Sequence, residues 1–358
     1  MKIGIVTQPL GFNYGGILQN FALQQVLIRM GHNPVTIDYW FRKSWLRYLL
    51  SMAKTLLLLF IPCWRRPFSA RKSKRCAHTG NFISKNITRT AEVYSYSSNL
   101  IKTYGFDCVV TGSDQVWRPC YNSATLEDCF LRFVNNDECG KVAYAASFGV
   151  DDWEYTSCQT QRCAKLARNI GAISVREESG VALCREHLGV NAVETLDPTL
   201  LLSSDDYNAV CSDVPSYGKP FIAAYILDDD DKKQEILNKI SAEKSLPVHR
   251  FYVTKDGGLS VEQWLAMFRD ASFIVTDSFH GTVFSIIYNK DFVAISNSAR
   301  GASRFESLLS KFRLESCLIK NAGDYNVIHC IDWLQVNEAK RALQDRSIDF
   351  LNKALCRK

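Results

Sequence analysis

Short apolar runs alternate with amphipathic stretches along the whole chain. Lys2-Ile3-Gly4-Ile5-Val6-Thr7 reads as a strand, and the glycine turn Asn13-Tyr14-Gly15-Gly16 follows. From Ile17 to Leu27 apolar residues recur at i, i+3 and i+4, which predicts an amphipathic helix. Gly31 ends it, and residues 35–39 form the next strand. Strand, helix and strand with short links predict a right-handed parallel unit. Residues 106–111 form an apolar strand ending in Gly112-Ser113-Asp114, and residues 141–149 form another ending in small residues. A helix over 161–169, a strand from Ala172 and a helix through Leu188 follow, and residues 193–201 close this half. Residues 204–219 are polar, with Pro215 and Gly218, and read as a linker.

The second half repeats the pattern. Residues 221–227 restart a strand, and the acidic run 228–231 suits a helix N-terminus, with that helix reaching Lys244. A strand over 248–253 follows, then a helix capped by Ser260. After the strand 292–296, a loop over 297–304 carries Arg300 and Arg304 into a helix over 305–311, and a long helix over 336–355 ends the pattern. The expected fold is α/β, with two Rossmann-like domains facing across a cleft. Residues 1–203 form the first domain, with an insert at 40–90, and residues 220–335 the second. Residues 336–358 pack back towards the first.

The stretch Phe273 to Ile287 concentrates the chemistry. Ile274 and Val275 suit a strand covered on both faces. Asp277 and Ser278 are helix-capping residues, Gly281 permits a close turn, and Val283, Phe284, Ile286 and Ile287 recur at helical spacing. His280 therefore sits at a strand-to-helix turn. Open α/β sheets bind ligands at that end of their strands, and helix N-termini favour anions.

Length and composition add limits. A chain of 358 residues, 47% hydrophobic, buries enough core for roughly two domains. The net charge of +6 is uneven. Residues 39–91 hold twelve Lys or Arg and no Asp or Glu, leaving 31 basic against 37 acidic residues elsewhere. Within that insert, residues 45–64 are strongly apolar, with Trp45 and Trp64 at the ends, but Arg47 and Lys54 interrupt them. A bilayer span needs about 20 clean apolar residues. Two readings stay open: a packed helix with a solvated basic loop, or an interfacial helix with tryptophans at both ends and a basic cluster behind it, so that 45–75 contacts an anionic membrane surface. A basic patch also suits nucleic acid, but no nucleic-acid motif accompanies it, so no such partner is expected. Thirteen cysteines lack C-x-x-C spacing and the first residues read as a strand, which fits a reduced, cytoplasmic protein. No metal-ligand spacing is present.

Six motifs occur in order: Asn13-Tyr14-Gly15-Gly16-x-Leu18-Gln19, Gly112-Ser113-Asp114-Gln115-Val116-Trp117, Ser174-Val175-Arg176-Glu177, Asp197-Pro198, Asp277-Ser278-Phe279-His280-Gly281 and Arg304-Phe305. Together they resemble the polysaccharide pyruvyl transferase family over nearly the whole chain. The region 40–90 is the least matched. The resemblance implies a glycosyltransferase-B-like fold. It also implies transfer of the enolpyruvyl group of phosphoenolpyruvate to two hydroxyls of a sugar, such as galactose in a lipid-linked precursor of a bacterial surface glycan. Phosphoenolpyruvate is then a co-substrate, and neither cofactor nor metal is expected.

That chemistry assigns roles. A donor with a phosphate and a carboxylate suits arginine forks and a helix N-terminus. Arg176, Arg304, Arg300, Asp277, Ser278 and Gly281 are the donor-side candidates, with Arg304 preferred over Arg300. His280 is the candidate general acid that protonates the methylene carbon. Asp114 is the candidate acceptor of the hydroxyl proton, and Gly15, Gly16, Gln19, Asn20, Ser113 and Gln115 are the acceptor-side candidates. Plainer readings stand beside these: His280 and Asp114 as turn or cap residues, Arg176 paired with Glu177 or Glu178, and Gln19 and Asn20 as packing. A nucleotide-sugar glycosyltransferase or a non-catalytic glycan-binding protein is the alternative function.

Overall fold

The computed structural model describes residues 1–40, 77–135, 138–251, 258–296, 303–325 and 331–356. Arg300, and the 45–75 segment as far as Arg75, lie outside them. The chain builds two parallel sheets. The first holds β1 (Lys2–Val6), β2 (Asn33–Thr36), β3 (Cys108–Thr111), β4 (Gly140–Ala146), β5 (Ala172–Val175) and β6 (Val193–Glu194), in the order β2-β1-β3-β4-β5-β6. The second holds β7 (Ile222–Tyr225), β8 (Val248–Arg250), β9 (Phe273–Thr276), β10 (Phe292–Ile295) and β11 (Leu318–Ile319), in the order β11-β10-β9-β7-β8. Helices alternate with the strands in both, giving the α/β two-domain architecture.

Both sheets reverse direction once. In the first, the chain steps outward from β1 to β2 and then returns to the other side of β1 with β3. In the second, β9 lands on the far side of β7 from β8. Loops leaving a sheet at such a point diverge and open a crevice at the carboxyl ends of the strands. Residues 7–16 and 112–118 bound the first crevice, and residues 226–230 and 277–280 the second.

The strands are apolar because they are covered on both faces. Every residue of β3, β7, β9 and β10 is buried. One continuous apolar core joins the two sheets, including Leu18 and Tyr14 from the first domain with Trp264 and Phe284 from the second. Tyr14 packs on Trp264 at 5.4 Å between ring centroids, and its hydroxyl donates to the Leu259 carbonyl at 2.5 Å.

The stretch 204–219, read from the sequence as a linker, runs between β6 of the first sheet and β7 of the second. It opens with helix Ser204–Val210, whose N-cap Ser203 and Asp206 form a capping box. Tyr207 is fully buried, donates to the Thr199 carbonyl at 2.9 Å and meets Phe284 edge-on at 4.9 Å. The polar run Ser203-Ser204-Asp205-Asp206 is a helix start, not a loop. Helix Trp333–Cys356 returns to the first domain, where Ser347 Oγ accepts from the Leu196 N–H at 3.1 Å and Gln344 donates to the Leu200 carbonyl at 2.5 Å.

Candidate active site

Asp197 is the point on which the site converges. It follows β6 and caps a short 3-10 turn, Pro198–Leu201, by accepting from the Thr199 N–H at 3.0 Å. The Thr199 hydroxyl, the Ser113 hydroxyl and Arg176 Nη1 also donate to its carboxylate, at 2.6, 3.0 and 3.0 Å. His280 Nε2 lies 3.6 Å from Asp197 Oδ2. Burial alone would push the Asp197 carboxyl up, but His280, Arg176 and the Thr199 hydroxyl hold it well below the usual carboxylate range.

Arg176 follows β5 and is 4% exposed. Burial opposes its charge, yet Asp197, Asp114 and Glu177 raise its pKa above the ordinary value. Asp114 Oδ1 is 4.0 Å and Glu177 Oε2 3.9 Å from the guanidinium. Its Nη2 donates to the Ser147 hydroxyl at 3.2 Å. The Arg176 guanidinium carbon lies 4.4 Å from the Phe279 ring centroid. Arg304 approaches the same ring at 5.6 Å. Arg304 sits in the first turn of helix Ser303–Phe312, not in a loop as its sequence context suggests. Burial, then the charge of Arg176, lower its pKa to about 10, so it stays protonated at neutral pH.

Two helix N-termini meet beside this pair. Helix Phe279–Ile287 starts after its cap Ser278, whose hydroxyl accepts from the Gly281 N–H at 3.4 Å. Helix Tyr14–Arg29 starts directly against His280, and a methyl group on Gly15 would sit 2.0 Å from His280 Nδ1. Aligned peptide dipoles make both ends favourable to anions. Asp114 lies nearby with φ at +81°, a left-handed conformation an aspartate tolerates better than most residues. Its Oδ1 accepts from the Gln115 N–H at 2.8 Å, and its Oδ2 accepts weakly from Asn13 at 3.5 Å. A Cβ on Gly16 would lie 3.3 Å from that Oδ2.

A cavity of about 10 Å³, room for roughly one water, remains between Arg176, Arg304, Asp197, Phe279 and Lys311. Arg176 Nε, Glu177 Oε2 and His280 Nε2 are buried without a hydrogen-bond partner inside the protein. Buried polar atoms are rarely left so, and three at one place mark a site shaped for a polar ligand.

The structure thus brings His280, Asp114, Ser113, Arg176, Arg304, Gly15 and Gly16 together. Other candidates have different work. Gln19 and Asn20 are fully enclosed on the inner face of their helix. Gln19 donates to Thr7 Oγ1 and to the Gly16 carbonyl, both at 2.9 Å, and Asn20 accepts from the Thr36 hydroxyl at 2.8 Å. Four and five residues past Gly15, the helix has turned them into the core, so the acceptor-side role is corrected to packing. Asp277 accepts from the N–H groups of Leu227 and Asp228 at 2.6 and 3.1 Å and from Lys233 Nζ at 2.9 Å. It fastens the loop after β7, and its donor-side role is corrected accordingly. Gly281 lets the helix lie on β9, since a Cβ there would come within 2.1 Å of Thr276 Oγ1. Gln115 accepts from Arg118 Nη1 at 3.2 Å on the rim of the cleft.

Four residues at the site went unassigned from sequence: Asp197, Glu177, Phe279 and Lys311. Glu177 Oε1 accepts from Ser147 Oγ and from the N–H groups of Phe148 and Gly149, shaping the loop after β4. All but Lys311 fall within the six motifs, and that coincidence was the available signal. Among the described residues no three His, Cys, Asp or Glu side chains are grouped to hold a metal. No helix of those residues is long and apolar enough to cross a membrane. Every cysteine among them is a free thiol.

Comparison with known proteins completes the picture. UDP-GlcNAc 2-epimerase from Neisseria meningitidis aligns over 100% of both chains with 10% identity and a TM-score of 0.51. A UDP-GlcNAc 2-epimerase from Methanocaldococcus jannaschii covers 96% of this chain and 93% of its own, with 11% identity and a TM-score of 0.48. Acinetobacter baumannii MurG covers 98% and 99%, with 8% identity and a TM-score of 0.46. The first of these establishes a shared fold, the glycosyltransferase-B arrangement, and nothing about substrate. No curated sequence matches the chain significantly. The model of the polysaccharide pyruvyl transferase family matches residues 13–299. With that match covering most of its length, and with the site residues inside it apart from Arg304 and Lys311, the chain belongs to the polysaccharide pyruvyl transferase family.

Proposed function

We propose that the protein moves the enolpyruvyl group of phosphoenolpyruvate onto two hydroxyls of a sugar, forming a pyruvate ketal and releasing phosphate. The observation that carries this reading is the pair of buried guanidiniums, Arg176 and Arg304, held against one Phe279 ring beside His280. Two fixed cations and two helix N-termini suit a donor with two anionic groups. His280, protonated, gives its proton to the methylene carbon. The adjacent carbon becomes oxocarbenium-like and a sugar hydroxyl attacks it, passing its proton to Asp114. The carbon–phosphate oxygen bond then breaks and phosphate leaves, and a second hydroxyl closes the ketal, its proton returning to His280. A metal-free site suffices for each step.

The acceptor in this reading is a hexose carried on a membrane lipid, handled at the cytoplasmic face. Residues 45–75 would meet that surface through their basic and tryptophan residues. Deleting them should weaken binding to anionic liposomes, and unchanged binding removes the membrane contact from the proposal.

The decisive experiment is phosphate release from phosphoenolpyruvate with and without candidate lipid-linked or soluble glycans. Release that rises with acceptor, and a drop of about 10²–10⁴-fold in His280→Gln at unchanged melting temperature, is expected. Release that never depends on an acceptor sinks the reading.

A further inference from the structure

Glu194, at the end of β6, reaches across to the helix that carries Arg304. Its Oε1 accepts from Ser307 Oγ at 3.0 Å and from Lys311 Nζ at 2.7 Å. Lys311 Nζ also donates to the backbone carbonyl of Arg176 at 3.2 Å. Arg304, Ser307 and Lys311 are spaced by three and four residues, so one face of helix Ser303–Phe312 carries all three. Lys311 and Glu194 are 13% and 26% exposed, and Lys311 lines the narrow cavity itself.

We propose that Glu194, Ser307 and Lys311 form a clamp that positions Arg304 beside Arg176 and keeps the cleft shut while transfer proceeds. The clamp rests on the pyruvyl-transfer reading above. It answers a physical problem of the site: two guanidiniums share one ring, and the charge of each opposes the other. Burial first, and the charge of Arg176 second, lower the Arg304 pKa. A cation held by a carboxylate from one domain and a carbonyl from the same domain draws the second arginine in regardless.

The clamp also decides where the intermediate goes. Once the methylene carbon is protonated, the electrophilic carbon accepts any oxygen nucleophile. With the cleft shut, a sugar hydroxyl attacks. With it open, water attacks, its oxygen bonds to that carbon and its proton passes to solvent. The bond to phosphate then breaks, giving pyruvate and phosphate in place of the ketal. Lys311 and Glu194 are therefore positioning residues whose loss shows in the partition between ketal and pyruvate.

The test compares Lys311→Met, Lys311→Arg, Glu194→Gln and Ser307→Ala with the unaltered full chain, measuring ketal, pyruvate and phosphate separately. Lys311→Met and Glu194→Gln should raise KM for phosphoenolpyruvate about 10-fold, the effect of roughly 1.4 kcal/mol. Both should also raise the share of phosphate released without ketal. Lys311→Arg should keep both close to the unaltered values. Ser307→Ala removes one hydroxyl and reads the same partition should Lys311→Met lower the melting temperature. An active unaltered protein whose partition and KM persist in Lys311→Met and Glu194→Gln overturns the clamp alone. An unaltered protein that forms no ketal with any acceptor overturns the transfer reaction, and the clamp with it.

Discussion

The imidazole of His280 rests on the backbone of Gly15, from the opposite domain, so closely that a single methyl group there would lie 2.0 Å from Nδ1. The pair joins the start of one helix to the first turn of another and fixes how near the two sheets come. Glycine stands there for the space it leaves, since its φ is not among the positive values.

Gly15→Ala follows directly. Alanine favours a helix over glycine by about 0.8–1 kcal/mol, so local propensity alone should stabilise the variant. The methyl group must nevertheless displace His280 or part the domains. A misplacement near 1 Å costs about 10²-fold in rate. The expected result is acceptor-dependent phosphate release lower by that order. Turnover at the unaltered level would show that His280 works from another position.

Asp197→Asn tests the buried hub. Its carboxyl has a folded-state pKa below the unfolded value of about 3.9. Its contribution to stability is therefore complete above that unfolded value and is lost as pH falls towards the folded one. Urea denaturation followed from pH 7 to pH 2 should show a shallower loss in Asp197→Asn than in the unaltered protein. At pH 7 the variant should be weaker by about 3–5 kcal/mol, because Arg176 loses its nearest carboxylate in a buried place. Parallel acid profiles would mean that Asp197 does not carry this charge.

Gly281→Ala probes the seat of the helix that carries His280. Its methyl group would meet Thr276 Oγ1 at 2.1 Å, and that hydroxyl donates to the Tyr225 carbonyl at 2.7 Å. Overpacking of this kind costs about 1–3 kcal/mol. The urea midpoint should fall in Gly281→Ala and recover in part in Gly281→Ala with Thr276→Ala, which removes the hydroxyl that the new methyl group would meet. A midpoint unmoved by Gly281→Ala would show that the helix has slack.

Local pattern made the strand-to-helix turn at His280 legible, because an apolar strand, a capping serine and a helical repeat lie next to one another in sequence. Arg176 was legible for the same reason, as a charge at the end of a buried strand. Asp197 was not. Its partners Ser113 and His280 are 84 and 83 residues away, and only strand order brings them to one place. Lys311 carries no local mark that separates it from a surface lysine. Gln19 and Asn20 misled because polarity near a glycine turn suggests a site, while the helix phase that buries them depends on where β2 lies. The acidic start of helix Ser204–Val210 resembled a solvated link for want of any sign that Tyr207 is enclosed.

The return of helix Trp333–Cys356 to the first domain has a mechanical consequence. The chain passes between the domains twice, once near residue 204 and once before residue 333, and both passes are anchored, by Tyr207 on one and by Ser347 and Gln344 on the other. Two fixed passes define an axis, as two pins define a door. Gly15 of the first domain and His280 of the second are held in contact between those two passes.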